Sequence, residues 1–127
     1  RGAGFHQVAD QSLQVAASQT ANFNRAEGMT VMENILQSDG TIKGVFAHND
    51  EMALGAVEAV VASGKDIKIV GFDATDDAQK AVKDGKMAAT VAQKPDKMGE
   101  TAIGTAVKIM AGETVEKSIP VEVELIK

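Results

Sequence analysis

The chain contains no cysteine, no tryptophan and no tyrosine among its 127 residues. Without cysteine it can form no disulfide, no thiolate metal site and no thiol nucleophile. It also lacks a run of about 18 apolar residues of the kind that spans a membrane, and its first residues do not read as a signal peptide. The net charge is −5, so no nucleic-acid partner is expected. The length of 127 residues and the 44% content of hydrophobic residues predict one globular domain.

Helical and strand-like patterns alternate along the sequence. Helices are predicted at 1–10, 25–37, 51–62, 76–83 and 97–110. Short apolar runs predict strands at 13–18, 42–47, 67–72, 87–92 and 121–126. Glycines that favour a left-handed helix end follow four of the helices, at Gly40, Gly64, Gly85 and Gly112. This alternation predicts an α/β fold with a mostly parallel, doubly wound sheet, and the last strand, which alternates polar and apolar residues, is expected at an edge.

Polar side chains follow the predicted strands at the points where the strands end. In open parallel sheets, ligands bind beyond the carboxyl ends of the strands, where helix N-termini also present unpaired N–H groups. The residues placed there are Asn22, Phe23, Asn24, His48, Asn49, Asp50, Phe72, Asp73 and Gln93. We therefore expect a binding site along this edge of the sheet, which we call the rim.

Several rim residues have an alternative structural role. Asp50 precedes an alanine-rich helix and is predicted to be its N-cap, which would leave Asn49 free for a ligand. Asp73 could cap the following helix, although Thr75 already supplies a cap there. Phe72, like Phe23, would normally be assigned to the core.

A sugar matches the side chains available at the rim. Its hydroxyls donate and accept hydrogen bonds, whereas its C–H faces are apolar. Carboxylates and amides suit the hydroxyls, a guanidinium donates in a fork, and a phenyl ring covers a C–H face. The candidate binding residues are Arg1, Phe23, Asn49, Phe72, Asp73 and Gln93. These residue types alone do not exclude other polar ligands.

Three segments of the chain resemble the ribose-binding proteins of bacterial ABC-type import. They read RGAGFHQ, FAHNDEMALGAVEAV and IKIVGFDATDDAQKAVKDGKMAATVAQKPDKMG, and the resemblance extends over nearly the whole chain. It implies that the same six residues contact the ligand and that D-ribose is favoured over other sugars. No nucleophile with a neighbouring base is evident, so we expect a receptor without catalytic activity and without a cofactor.

Members of that family have two α/β lobes that close around the sugar. The resemblance implies that residues 1–93 form most of the C-terminal sugar-binding lobe, and that residues 94–127 form a crossover helix and terminal strands that pack on the N-terminal lobe and hinge. The first strand of the lobe would be missing, so we expect a fragment that is unstable or rearranged alone. The implied partners are the missing N-terminal lobe, an ABC permease and, as a further candidate, a chemoreceptor. The implied location is the periplasm, or a lipid tether outside the cytoplasmic membrane.

Two other functions fit parts of the sequence. The sugar-effector domain of a lac-repressor-type transcription regulator shares this fold and a similar N-D-x-M-A-x-G run, but it requires a basic helix-turn-helix segment upstream. The stretch at 76–93 favours the receptor. A phosphoacceptor signalling domain would use aspartates at strand ends with Lys94 nearby, but the adjacent acidic pair that would hold magnesium is lacking.

Overall fold

The fold is built on one sheet of four strands in the order β1-β2-β3-β4. A computed structural model describes residues 1–127. The strands are β1 (Gly44–Phe46), β2 (Lys68–Asp73), β3 (Ala89–Ala92) and β4 (Glu124–Ile126). The first three are parallel, and β4 pairs antiparallel with β3 at the edge of the sheet. The predicted α/β class with a mostly parallel sheet is confirmed.

Five helices accompany the sheet, close to the predicted positions. They are α1 (Gly2–Ser12), α2 (Arg25–Ser38), α3 (Asp50–Ser63), α4 (Asp76–Lys83) and α5 (Pro95–Met110). None of them is long and apolar enough to cross a membrane. Helix α5 contains no buried residue. The helix that would begin the second part of the chain thus leaves its apolar side chains exposed. The division of the chain between residues 93 and 94 stays a prediction.

Helices cover both faces of the sheet. Successive side chains of a strand point to opposite faces. In β1, Val45 packs against the main core, whereas the ring of Phe46 stacks on Phe5 of α1 with 5.1 Å between ring centroids. The main core contains Met32, Ala47, Ala53, Leu54, Ala56, Val57, Ala59, Val60, Ile67, Ile69, Ala78, Ala81 and Met87. Because the helical members of this core come from α2, α3 and α4, those helices share one face of the sheet, and α1 lies on the other.

The segment 13–18 is not a strand, and that prediction was wrong. Leu13 has extended backbone angles, φ −132° and ψ 160°, but no backbone N–H group of residues 14–19 donates to another backbone group. A strand exists only where a neighbouring strand accepts its hydrogen bonds. The free edge of β1 does not supply one, because a cavity of about 760 Å³ is lined both by Leu13–Gln19 and by β1.

The helix ends follow the predictions except at two points. Thr75 caps α4 as predicted, since its hydroxyl accepts from the Ala78 N–H at 3.3 Å. The N-cap of α3 is Asn49 and not Asp50, because the Asn49 side-chain oxygen accepts from the Met52 N–H at 3.0 Å. Three of the four predicted glycines have positive φ, namely Gly64, Gly85 and Gly112. Gly40 does not, and the C-cap of α2 is Asp39, one residue before Gly40.

Candidate ligand-binding site

Four of the six predicted binding residues form one connected cluster at the rim. Gln93 follows β3, and its side-chain amide donates to Asp73 Oδ1 at the end of β2 over 2.6 Å. The Arg1 guanidinium donates to the same oxygen over 3.3 Å and lies 4.2 Å from the centre of the Phe72 ring. The parallel order of β2 and β3 brings these groups together, because it places both strand ends at the same edge of the sheet.

A third contact fixes the position of Arg1. Its other terminal nitrogen donates to the backbone carbonyl of His48, beyond the end of β1, over 2.6 Å. The guanidinium is thus held by a carbonyl, a carboxylate and an aromatic face at once. The side chains of Arg1 and Asp73 are nevertheless 33% and 31% exposed, so both remain accessible to a ligand.

The other two predicted residues, Asn49 and Phe23, form a separate pair. The Asn49 side-chain nitrogen donates to the Phe23 carbonyl over 3.3 Å, and the Asn49 oxygen caps α3. Asn49 is therefore buried and engaged within the fold, contrary to the expectation that it would be left free. Phe23 is 61% exposed, so it is not a core residue. Asn49 follows His48 directly, which places this pair beside the Arg1 contact.

The backbone is unusual where it presents these side chains. Phe23 has φ 56° and its neighbour Asn22 has φ 49°, while Asp73 has φ 122° and Ala74 has φ 56°. No other residues except glycine have positive φ in this chain. Side chains with a Cβ seldom adopt this region, and such residues cluster at ligand-binding positions. Both pairs of residues, Asn22 with Phe23 and Asp73 with Ala74, lie at the rim.

Two buried polar side chains under the rim, those of Asp50 and Thr90, were not predicted to interact. Asp50, which is fully buried, accepts from the Thr90 hydroxyl over 2.7 Å and from the Thr75 N–H over 2.8 Å. The Thr90 hydroxyl in turn accepts from the Ala74 N–H over 3.2 Å. One signal was available in the sequence: Thr90 is a polar residue within an otherwise apolar strand.

Arg25 links three helices on the outer side of the rim. It donates to both carboxylate oxygens of Glu51 in α3, over 2.9 and 3.0 Å, and to Asp77 in α4 over 3.0 Å. These hydrogen bonds, that to Glu51 first, raise the pKa of Arg25 further above its ordinary value. Because the first turns of α3 and α4 each carry two acidic residues, Arg25 offsets part of their mutual repulsion. No group of three or more His, Asp or Glu side chains converges to hold a metal ion.

Comparison with known proteins identifies relatives of the chain. Residues 1–114 match a family described as periplasmic binding protein domain. The chain is 53% identical over 125 residues to the ribose import binding protein RbsB of Bacillus subtilis (strain 168), an alignment that covers 98% of the chain and 41% of that protein. It is 49% identical over 128 aligned positions to RbsB of Escherichia coli (strain K12), covering 99% of the chain and 43% of that protein.

Solved structures of solute binding proteins are also similar to the chain. An ABC transporter solute binding protein from Bacillus halodurans C-125 with bound myo-inositol is 42% identical, with a TM-score of 0.82 over 98% of this chain and 45% of that one. A periplasmic solute binding protein from Actinobacillus succinogenes 130z with bound D-allose is 33% identical, with a TM-score of 0.83 over 98% and 46%. The chain thus spans less than half the length of these relatives and corresponds to part of a lobe.

These relatives are named as binding proteins and not as enzymes, in line with the prediction of a receptor without catalytic activity. They also confirm the predicted fold, since the matched structures are periplasmic binding proteins. The match over residues 1–114 shows that this chain belongs to the periplasmic binding protein family.

Proposed function

We propose that a protein containing this chain is a receptor that binds D-ribose between this lobe and a second lobe. The observation that carries the proposal is the Asp73 carboxylate, held by Arg1 and Gln93 beside the Phe72 ring at an accessible rim. A carboxylate fixed in this way can accept hydrogen bonds from the hydroxyls of a sugar, and the ring can cover a C–H face.

Asp73 and Arg1 each have atoms that can still form hydrogen bonds with a ligand. Asp73 Oδ1 already accepts from Arg1 and Gln93, whereas Oδ2 accepts from no group of the chain. Oδ2 is therefore the acceptor offered to a sugar hydroxyl. Each amino group of the Arg1 guanidinium carries two N–H bonds, and each makes one hydrogen bond here, so further donors remain. In this proposal, Asn49, beyond the end of β1, and Phe23, just before α2, complete the same site.

The choice of ribose draws support from the relatives. The Bacillus subtilis and Escherichia coli proteins, with 53% and 49% identity, are both ribose import binding proteins. Structural neighbours at lower identity were solved with other ligands, such as D-allose at 33%. On this basis we assign D-ribose first and other monosaccharides second.

The remaining parts of the proposal concern partners and location. A receptor of this kind closes its two lobes on the sugar and delivers it to the permease of an ABC importer. It works outside the cytoplasmic membrane, in the periplasm or tethered by a lipid. We propose the permease as the functional partner and a chemoreceptor as a further candidate.

The test uses a chimera, defined as the Bacillus subtilis relative with its matching segment replaced by this chain. Calorimetric titration of the chimera with D-ribose and D-glucose should show much tighter binding of D-ribose. Asp73→Asn should weaken ribose binding about ten- to a hundredfold, the equivalent of about 1.5–3 kcal/mol, because a charge-assisted hydrogen bond is lost. Asp84→Asn makes the same chemical change far from the rim and should leave the dissociation constant unchanged.

Two results would contradict the proposal. Equal affinity for D-glucose and D-ribose would remove the ribose assignment. An unchanged dissociation constant in Asp73→Asn would remove Asp73 from the site.

A further inference from the structure

The turn that follows β2 requires support from outside itself. Asp73 and Ala74 are consecutive residues with positive φ, 122° and 56°, and neither is glycine. We call these two residues the corner. Such backbone angles persist only where the surrounding structure holds them. Because the corner carries the Asp73 side chain, whatever holds it also sets the direction of that carboxylate.

Side chains of three neighbouring elements bond to the backbone of Ala74 and of Thr75, the residue that follows the corner. The Ala74 N–H donates to the Thr90 hydroxyl over 3.2 Å, and the next N–H, that of Thr75, donates to Asp50 Oδ2 over 2.8 Å. The Ala74 carbonyl accepts from the Gln79 side chain over 2.8 Å. The corner is therefore fixed from below by β3 and α3, and from the side by α4.

Asp50 is the centre of this arrangement. Since the Ala74 N–H can only donate, the Thr90 hydroxyl must accept from it and direct its own proton to Asp50 Oδ1, which lies 2.7 Å away. Both Asp50 oxygens thus act as acceptors, as an ionised carboxylate does. Its position in the first turn of α3 also favours a negative charge.

Asp50 is neither one half of an ion pair nor an apolar residue that fills the core. It is fully buried, and no Lys or Arg forms a salt bridge with it. A buried charge without a cation is costly unless several hydrogen bonds compensate it. The sheet also leaves room for it at Gly71, where an added Cβ would overlap Asp50 Oδ1. The carboxylate is therefore accommodated by Gly71 on β2, Thr90 on β3 and the Thr75 N–H that follows the corner.

We propose that Asp50 is a positioning residue for ligand binding, which acts through Thr90 and the Thr75 N–H to hold the corner and aim the Asp73 carboxylate. Asp50 does not touch the ligand. The proposal rests on the function proposed above, and it names a determinant of affinity that lies beneath the site.

The first test measures ribose binding by the chimera at a temperature where each variant is folded. Asp50→Asn and Thr90→Val should each weaken binding about tenfold, because one hydrogen bond that supports the corner is lost. Thr90→Ser, which keeps the hydroxyl, should restore most of the affinity. Met32→Ala is the matched control: it opens the buried core away from the rim, so it should lower Tm but leave the dissociation constant unchanged.

A double-mutant cycle distinguishes positioning from a general loss of stability. If Asp50 acts through Asp73, then Asp50→Asn should have little further effect on ribose affinity in a chimera that already carries Asp73→Asn. Additive losses of affinity, or unchanged affinity in both Asp50→Asn and Thr90→Val, would overturn the proposal.

A ligand-free measurement separates this proposal from the proposed function. The Gln93 side-chain amide donates to Asp73 Oδ1 over 2.6 Å, so its NMR resonance reports the direction of that carboxylate. The resonance should move towards that of a solvated amide in Thr90→Val and stay in place in Met32→Ala. If the parent chimera does not bind ribose, the proposed function fails, and the Gln93 resonance still decides the role of Asp50. An unmoved resonance in both Thr90→Val and Asp50→Asn would refute that role.

Discussion

Replacing Gly55 with alanine should force helices α2 and α3 apart. Gly55 lies inside α3, and an added Cβ would overlap the Arg25 carbonyl and lie 2.7 Å from the Met29 nitrogen, both backbone atoms of α2. On the facing helix, a Cβ at Gly28 would lie 2.8 Å from the Met52 Cα. Real Cβ contacts essentially never fall below 3.0 Å. The two glycines therefore allow the backbones to pack closely.

The size of the effect follows from what must move. Ordinary contact begins at 3.4 Å, so the Met29 nitrogen is too close by about 0.7 Å and the Arg25 carbonyl by more. Overpacking costs about 1–3 kcal/mol, and a backbone obstacle that cannot change rotamer favours the upper end. Alanine regains about 1 kcal/mol of helix propensity. We expect a net loss of about 2 kcal/mol in the free energy of unfolding, a large part of the stability of a small domain.

The measurement is urea unfolding of the chimera defined above, followed by far-ultraviolet circular dichroism. Gly104→Ala is the matched control, because Gly104 lies inside α5 with no atom within 4 Å of an added Cβ. It should gain about 1 kcal/mol from helix propensity alone. If Gly55→Ala were as stable as Gly104→Ala, the close packing of α2 on α3 would be refuted.

Three further changes test contacts elsewhere in the chain. Arg25→Met should cost about 1 kcal/mol in urea unfolding, and less at high salt, because its pairs with Glu51 and Asp77 are more than a third exposed. The Lys80 ammonium lowers the pKa of Asp84, mainly through a hydrogen bond. Asp84→Asn should therefore be less stable than the parent above pH of about 4, and the difference should vanish as the pH falls through the lower folded-state pKa, as a pH series of unfolding midpoints would show. Replacing Ile103 and Met110 with lysine should reduce self-association of the isolated chain in sedimentation experiments, because both are exposed on α5, at 69% and 87%.

The sequence was sufficient to predict the cluster at the rim because topology determines it. Once the strands are known to be parallel, their carboxyl ends must share an edge, and residues that follow different strands, such as Asp73 and Gln93, must meet. The residue types then indicate the chemistry. Arg1 was predicted from its residue type and supported by the resemblance, whereas topology does not place it, because its contacts with His48 and Asp73 join residues far apart in the chain.

The wrong predictions concern choices that distant residues decide. Asn49 and Asp50 are both good N-cap types, and local propensity cannot order them. Burial of Asp50 depends on Gly71 and Thr90, which come from other strands. In the same way, residues 13–18 have a strand-like pattern, but a pattern does not supply a neighbouring strand.

If the proposed receptor function is right, the contacts within the rim indicate how this lobe would contribute to affinity. Arg1, Asp73 and Gln93 are paired with one another before any ligand arrives, so their side chains are already ordered. Preorganised groups lose less conformational entropy on binding than mobile ones. The same pairing, however, uses Asp73 Oδ1 fully and leaves mainly Oδ2 and the free Arg1 donors for the sugar. A ligand on this lobe alone would stay partly exposed with unpaired hydroxyls. For the proposed receptor, high affinity would therefore require a second surface that covers the rim, and the fixed direction of the Asp73 carboxylate would help to determine which sugar that surface closes upon.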